Sequence, residues 1–384
     1  MRSIKELDQT ASPRELGAAV VSSLKGEGTA SRRPLRRSRP RKTSWLPFVA
    51  AAASVLVLVG AFFALRPKPP EPDRTAATVV EVVGTCELTR EDGSESARKG
   101  ARVLPGQTLT TAAQSSAKLR YADGTTLQLQ ADSSYSLLAA VQGKPGELLQ
   151  GVVEADVAPQ PEGAPFTIRT PHGLLTVRGT RFVVEAEAEG TKLQVSEGKV
   201  EIADKDASTR ALVSAGGKAE IRTEGVLLRF LPTADAYIQN NVTQNDETLR
   251  VEDKFHDRVS YLHFRIAGIG TSTVRSAKLR LRVTNDPGSG TLRVFRGEHS
   301  KWNEETLSRS NAPRDGEAVG TFKGRMSKDN QVVVDVTSLI KGDGDITAIM
   351  RLKKGCNDVW FCSREGTHPP ELIVTLGAED AQSR

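Results

Sequence analysis

Sulfur and aromatic side chains are scarce in this chain: 384 residues contain three cysteines, three methionines and three tryptophans, and aromatics make up 5%. So few cysteines exclude a disulfide-stapled scaffold. The five histidines, His172, His256, His263, His299 and His368, are not paired at metal-ligand spacing, which argues against a zinc centre. No G-x-S-x-G elbow, phosphate-binding loop or dinucleotide fingerprint occurs. The expectation is a protein without catalytic activity. What is plentiful is punctuation, with 33 glycines and 19 prolines. Together with an ordinary charge content this fits twisted β domains with many turns, and the length suits two or three of them.

Positive charge is concentrated at one end. Residues 1–44 hold eleven Lys/Arg against four Asp/Glu, a net of +7, while the whole chain is +6, so the remainder sums to −1. The excess abuts Trp45 to Leu65, 21 residues without a charge. A helix of that length spans about 30 Å, the thickness of a bilayer's hydrocarbon core. Seven Lys/Arg fall between Arg32 and Lys42, and only Arg66, Lys68 and Arg74 follow closely. The positive-inside rule then predicts a single-pass inner-membrane protein, N-terminus cytoplasmic and C-terminal bulk periplasmic. A cleaved signal peptide would need a 44-residue leader, and no small-x-small site precedes Arg66. The basic collar reads as topogenic and headgroup-binding, so no nucleic-acid partner is expected. Ser12-Pro13-Arg14-Glu15 is a capping box and predicts one short helix to about Lys25. Residues 66–76 form a Pro-rich linker.

Residues 77–222 read as the first extracytoplasmic domain. From Pro165 to Ile202, apolar residues alternate (Phe166/Ile168, Phe182/Val184, Leu193/Val195, Val200/Ile202). Gly or Pro falls at the breaks. Period-two alternation between turn residues predicts short antiparallel strands. Asp123-Gly124 between alternating runs predicts a hairpin. The run Thr170-Pro171-His172-Gly173, then Val177-Arg178-Gly179-Thr180-Arg181-Phe182 and Glu197-Gly198-Lys199-Val200, resembles the FecR domain of bacterial envelope signalling proteins. That resemblance implies an interaction or signal-relay module. It also implies a cytoplasmic helical domain that contacts a sigma factor, and residues 1–44 are too short for one.

Residues 223–378 read as a second β domain, followed by a tail, 379–384. Its blocks are Thr233-Ala234-Asp235-Ala236-Tyr237, Arg258-Val259-Ser260-Tyr261-Leu262, Lys278-Leu279-Arg280-Leu281-Arg282, Trp302-Asn303-Glu304-Glu305-Thr306 and Cys362-Ser363-Arg364-Glu365. In that order they resemble the DNRLRE-type carbohydrate-binding modules, which implies a jelly-roll β-sandwich, a polysaccharide partner, and calcium near Asp235 as a family-level possibility. The fold class expected is thus mostly β, two tandem antiparallel β domains after one transmembrane helix, each able to fold by itself.

In Lys278-Leu279-Arg280-Leu281-Arg282 the cations alternate with apolar residues and share one strand face. Arg293 stands on the next predicted strand, with Phe295 pointing the same way. These four are the candidate ligand contacts and would favour an anionic polysaccharide. The alternative is an ordinary solvated face with acidic cross-strand partners. Glu304-Glu305 are read as adjacent strand residues on opposite faces, unfit for paired glycosidase chemistry. Asp343-Gly344-Asp345 reads as a turn. A Cys356–Cys362 disulfide is one option and free thiols the default; Cys86 has no obvious partner. The expected function is a non-catalytic binder or sensor of an envelope or extracellular polysaccharide, with a FecR-like domain meeting an envelope protein partner. The alternatives are an anti-sigma-type regulator and a wall-linking structural protein.

Overall fold

A computed structural model describes residues 75–253, 257–285, 287–354 and 358–377. The predicted cytoplasmic helix, the membrane span 45–65, nearly all of the linker and Cys356 lie outside these residues. Among the described residues no helix is long and apolar enough to cross a membrane. Their regular structure is all strand apart from one 3-10 turn at Thr337–Leu339.

The first domain is built by the alternation read above. In Phe166–Arg169, Gly173–Val177 and Thr180–Ala186 every second side chain is buried. Phe166, Ile168, Leu175, Val177, Phe182 and Val184 are fully buried in one core. The Asp123-Gly124 hairpin forms as expected: Gly124 takes a φ of 92°, the Tyr121 N–H donates to Thr125 O at 2.9 Å, and Asp123 Oδ1 accepts the Thr125 N–H at 3.1 Å. One long strand, Lys144–Val157, serves two sheets. Its first half pairs with Ser134–Leu137 and its second half with Thr126–Leu129 and Thr180–Ala186. It bends at Gly151, φ 89°, where a Cβ would lie 2.4 Å from Ser133 Cα. One pairing departs from the all-antiparallel expectation. The chain leaves Val157 and returns through an eight-residue loop, so Phe166–Arg169 lies parallel to Lys144–Glu147.

The second domain faces two sheets across a core. One holds Gly225–Phe230, Glu371–Gly377, Thr273–Arg282 and Gln331–Asp335 in that order. The other is six-stranded and contains Ala234–Gln239, Val259–Ile266, Gly344–Lys353 and Gly288–Gly297. Ala277, Leu279 and Leu281 from the first meet Leu292, Val294 and Phe264 from the second in one buried cluster.

The two domains share a sheet. Lys218–Arg222 of the first pairs with Gly225–Phe230, which pairs in turn with Glu371–Gly377 of the second. The Leu212 N–H also donates to Gly268 O at 3.0 Å, and Ser272 Oγ donates to Arg210 O at 2.6 Å.

Candidate functional site

Lys278, Arg280 and Arg282 point outward from Thr273–Arg282 while Ala277, Leu279 and Leu281 point into the core, so the period-two reading of this strand holds. Arg293 does not join them. Its strand, Gly288–Gly297, pairs with Asp315–Met326 and Gly344–Lys353 in the other sheet, so it faces outward on the far side of the sandwich. There its guanidinium lies 5.2 Å from the Phe295 ring centroid. Adjacency in sequence is adjacency in a sheet only when the connection is a hairpin, and here the chain crosses between layers.

The basic face extends beyond the second domain. Arg222 Nε donates to Glu220 Oε1 at 2.6 Å, and Arg229 Nη2 donates to Glu220 Oε2 at 3.1 Å. Glu371 Oε2 then accepts Arg229 Nη1 at 3.3 Å and Arg280 Nη1 at 3.1 Å. This ladder of alternating charge crosses four strands and both domains. Burial alone would raise the Glu220 carboxyl, but hydrogen bonds from Arg222 and Arg229 outweigh it and hold the group below its ordinary range. Arg282 donates to the backbone oxygen of Asp329. Lys278 is exposed and forms no ion pair among the described residues. A groove of about 430 Å³ runs along this face, floored by Leu227, Ile373 and Thr375 and edged by five cations, Arg222, Arg229, Arg275, Lys278 and Arg280, and one carboxylate, Glu224. Arg222, Arg229 and Arg275 were not among the sequence candidates. The first two belong to strands on either side of the domain boundary, and only pairing across it brings them beside Lys278.

A second surface feature lies over the outer face of the six-stranded sheet. Tyr261, Ile238, Val259, Ala312 and Pro313 floor a cleft of about 290 Å³, with Arg309, Arg314 and Arg351 at its rim. Trp302 packs beside it: its ring stands edge-on to Tyr261 and His263, both centroids 6.2 Å away, and its Nε1 donates to Thr347 Oγ1 at 3.0 Å.

Three blocks far apart in sequence meet at one end of this sandwich. Asp235 is fully buried. Its Oδ2 accepts the Arg364 N–H at 2.8 Å, and its backbone N–H donates to Glu304 Oε2 at 3.1 Å. Arg364 Nη2 donates to Glu304 Oε1 at 2.8 Å, Arg364 Nε to Glu365 Oε1 at 2.8 Å, and Arg364 Nη1 to Thr233 O at 2.5 Å. Burial pushes the Asp235 carboxyl up to about 7. The neighbouring Glu365 and Glu304 charges add to the rise, against the Arg364 N–H and charge. Glu304 and Glu305 are therefore not strand neighbours. They sit in a turn that carries Glu304 against Asp235 and leaves Glu305 in solvent. Asp343 and Asp345 are taken up elsewhere, by the Ile269 N–H at 2.8 Å and Arg265 Nε at 3.0 Å. Cys86 and Cys362 are buried free thiols.

Residues 107–201 match the family model of the FecR protein, and residues 227–376 match that of carbohydrate-binding module family 96. No curated protein matches the chain. Two solved structures of a candidate anti-sigma factor from Parabacteroides distasonis are 22% identical, with a TM-score of 0.27, over 30% of this chain and 54% of theirs. The chain thus spans about half the length of that protein. A likeness so slight assigns it neither fold nor role.

Proposed function

We propose that this chain, which joins a FecR domain to a carbohydrate-binding module of family 96, is a non-catalytic, single-pass envelope protein that holds a polysaccharide with its C-terminal module and relays or anchors that contact through the FecR domain. In this reading residues 45–65 span the inner membrane and both β domains stand in the periplasm. The observation that carries it is the fusion of the two domains into one sheet, with a cationic groove laid across their junction. A load on the module acts directly on the hydrogen-bonded strands of the FecR domain, with no flexible linker between them.

The groove favours an anionic polysaccharide. Guanidinium groups pair bidentately with carboxylates, and the apolar floor of Leu227 and Ile373 can meet sugar rings. Each exposed pair adds at most about 1 kcal/mol, so binding needs several contacts along an extended chain. Migration of the purified protein in gels containing polyuronate or neutral glucan tests this. Retention is expected with polyuronate and is expected to weaken with salt, since exposed charges are screened beyond about 8 Å at physiological ionic strength. Lys278→Ser should weaken retention without moving the melting temperature, because Lys278 holds no ion pair among the described residues. Equal retention of wild type and variant, or indifference to salt, would remove this face from consideration.

The FecR match favours a second reading, a transmembrane regulator of a sigma factor. Specific retention of a sigma factor by residues 1–44, with no glycan binding by the module, would put this reading first.

A further inference from the structure

The sheet that joins the two domains has one continuous outer face, and the groove covers only part of it. Strand register lays a row of directly opposed residues across that face. Val183 stands opposite Gln194, Gln194 opposite Lys218, and Lys218 opposite Arg229. Arg229 in turn stands opposite Ile373, and Ile373 opposite Lys278. Directly opposed residues share a face of the sheet. Phe182, Leu193, Ala219, Leu228, Val374 and Ala277, one position away on the same strands, are all buried, so the row lies on the outer side. Its first three members belong to the first domain.

A hollow of about 440 Å³ lies over those three residues, floored by Val183, Leu193 and Ala219, and it shares Arg229 with the groove. Most of its charges are already matched. Lys192 Nζ donates to Glu187 Oε1 at 2.6 Å and to Glu185 Oε2 at 3.4 Å. Glu220 and Glu371 accept from Arg222, Arg229 and Arg280 in the ladder. Lys218 is exposed and forms no ion pair among the described residues. It thus repeats on the first domain what Lys278 provides on the second, an open cation beside an apolar floor. Neighbouring strands lie about 4.8 Å apart, so the three steps from Lys218 to Lys278 cover about 14 Å.

Granted the polysaccharide reading of the groove, on which this rests, we infer that the site continues onto the FecR domain, where Lys218, Gln194 and Val183 form subsites for the same extended uronate chain. A sugar residue in such a chain is about as long as one strand spacing, so a chain lying across the strands sets one ring over each. Carboxylates meet Lys218 and Lys278, the Gln194 amide meets hydroxyls, and Val183 and Ile373 meet the apolar faces of the rings. A chain held on both sides of the strand Gly225–Phe230 is bound more tightly than one held by the module alone, since its second contact is intramolecular. The FecR domain then touches the ligand itself.

The full-length chain in detergent micelles is titrated calorimetrically with an oligouronate of about eight residues, as wild type and as Lys218→Ser, Lys278→Ser and Lys205→Ser. Lys205 is exposed and follows Lys199–Asp204 in the other sheet of the first domain, so it controls for overall charge. Lys218→Ser should weaken binding about two- to fivefold, the scale of one exposed charge pair, with the melting temperature unchanged. Lys278→Ser should weaken it to a similar extent, and Lys205→Ser should leave it as in wild type. Wild-type affinity in Lys218→Ser beside a weakened Lys278→Ser would confine the ligand to the module and overturn the extension alone. An equal loss in Lys205→Ser would show a general field in place of contact and overturn it as well. No binding by the wild type would remove the polysaccharide reading itself, and the extension with it.

Discussion

Glu220 shows how one side chain can carry a junction. Only 4% of it is exposed, yet it stands on the outward side of Lys218–Arg222, because Arg222 and Arg229 close over it. Removing one partner of a buried ion pair costs more than the pair contributes, since the remaining charges stay desolvated. Both arginines are about a third exposed, so the cost here is reduced to about 1–2 kcal/mol for Glu220→Gln. The pH dependence has a definite sign. The folded carboxyl is held below the ordinary value of 4.5, so its contribution is fully present above that pH and is lost as pH falls through the folded value. Urea titrations at pH 7 and below pH 4 should show the wild type losing its advantage over Glu220→Gln in acid. An advantage that persists in acid would mean that Glu220 acts by packing alone.

Among the elements, Gly225–Phe230 decides most. Val226 and Leu228 turn inward and are buried, each contributing about 1.5–3 kcal/mol, while Leu227 and Arg229 line the groove. Its two neighbours belong to different domains, and a turn at Thr223-Glu224 puts them in register. Gly268 adds a second seam. At φ 93° a Cβ there would lie 1.9 Å from Leu212 O, so only glycine admits this approach. Each domain carries its own set of turns and alternating strands, which is why separate folding was expected. The shared strand changes that expectation. Calorimetry of the full chain should show one transition for residues 75–377, with calorimetric and van't Hoff enthalpies that agree. Two resolved transitions would mean that the seam contributes little and the domains melt apart.

At the scale of the molecule, the proposal places both β domains on one side of a membrane. A reporter active only in the periplasm should work when fused after Gly377 and fail when fused after Leu24; reversed activities would remove the periplasmic reading of the groove and the module. The sequence by itself determined which apolar strand faces are buried. Alternation in Phe166–Val184 and in Lys278–Arg282, and the Asp-Gly turn at 123–124, are local consequences of side-chain direction and backbone freedom, and the structure reproduces them. The order of motif blocks likewise sufficed to recognise the two families. What local pattern cannot encode is which strands become neighbours. Alternation gives Arg293 an outward face but not a sheet, and the crossing of the chain between layers separates it from Lys278. Asp235 reads as one acidic residue in a strand until folding brings up Glu304, 69 positions on, and Arg364, 129 positions on. The groove is a product of pairing across a boundary that composition marks only as a turn. Those neighbours are fixed by the burial of whole sheet faces against one another, a long-range condition, and both candidate sites lie where it is met.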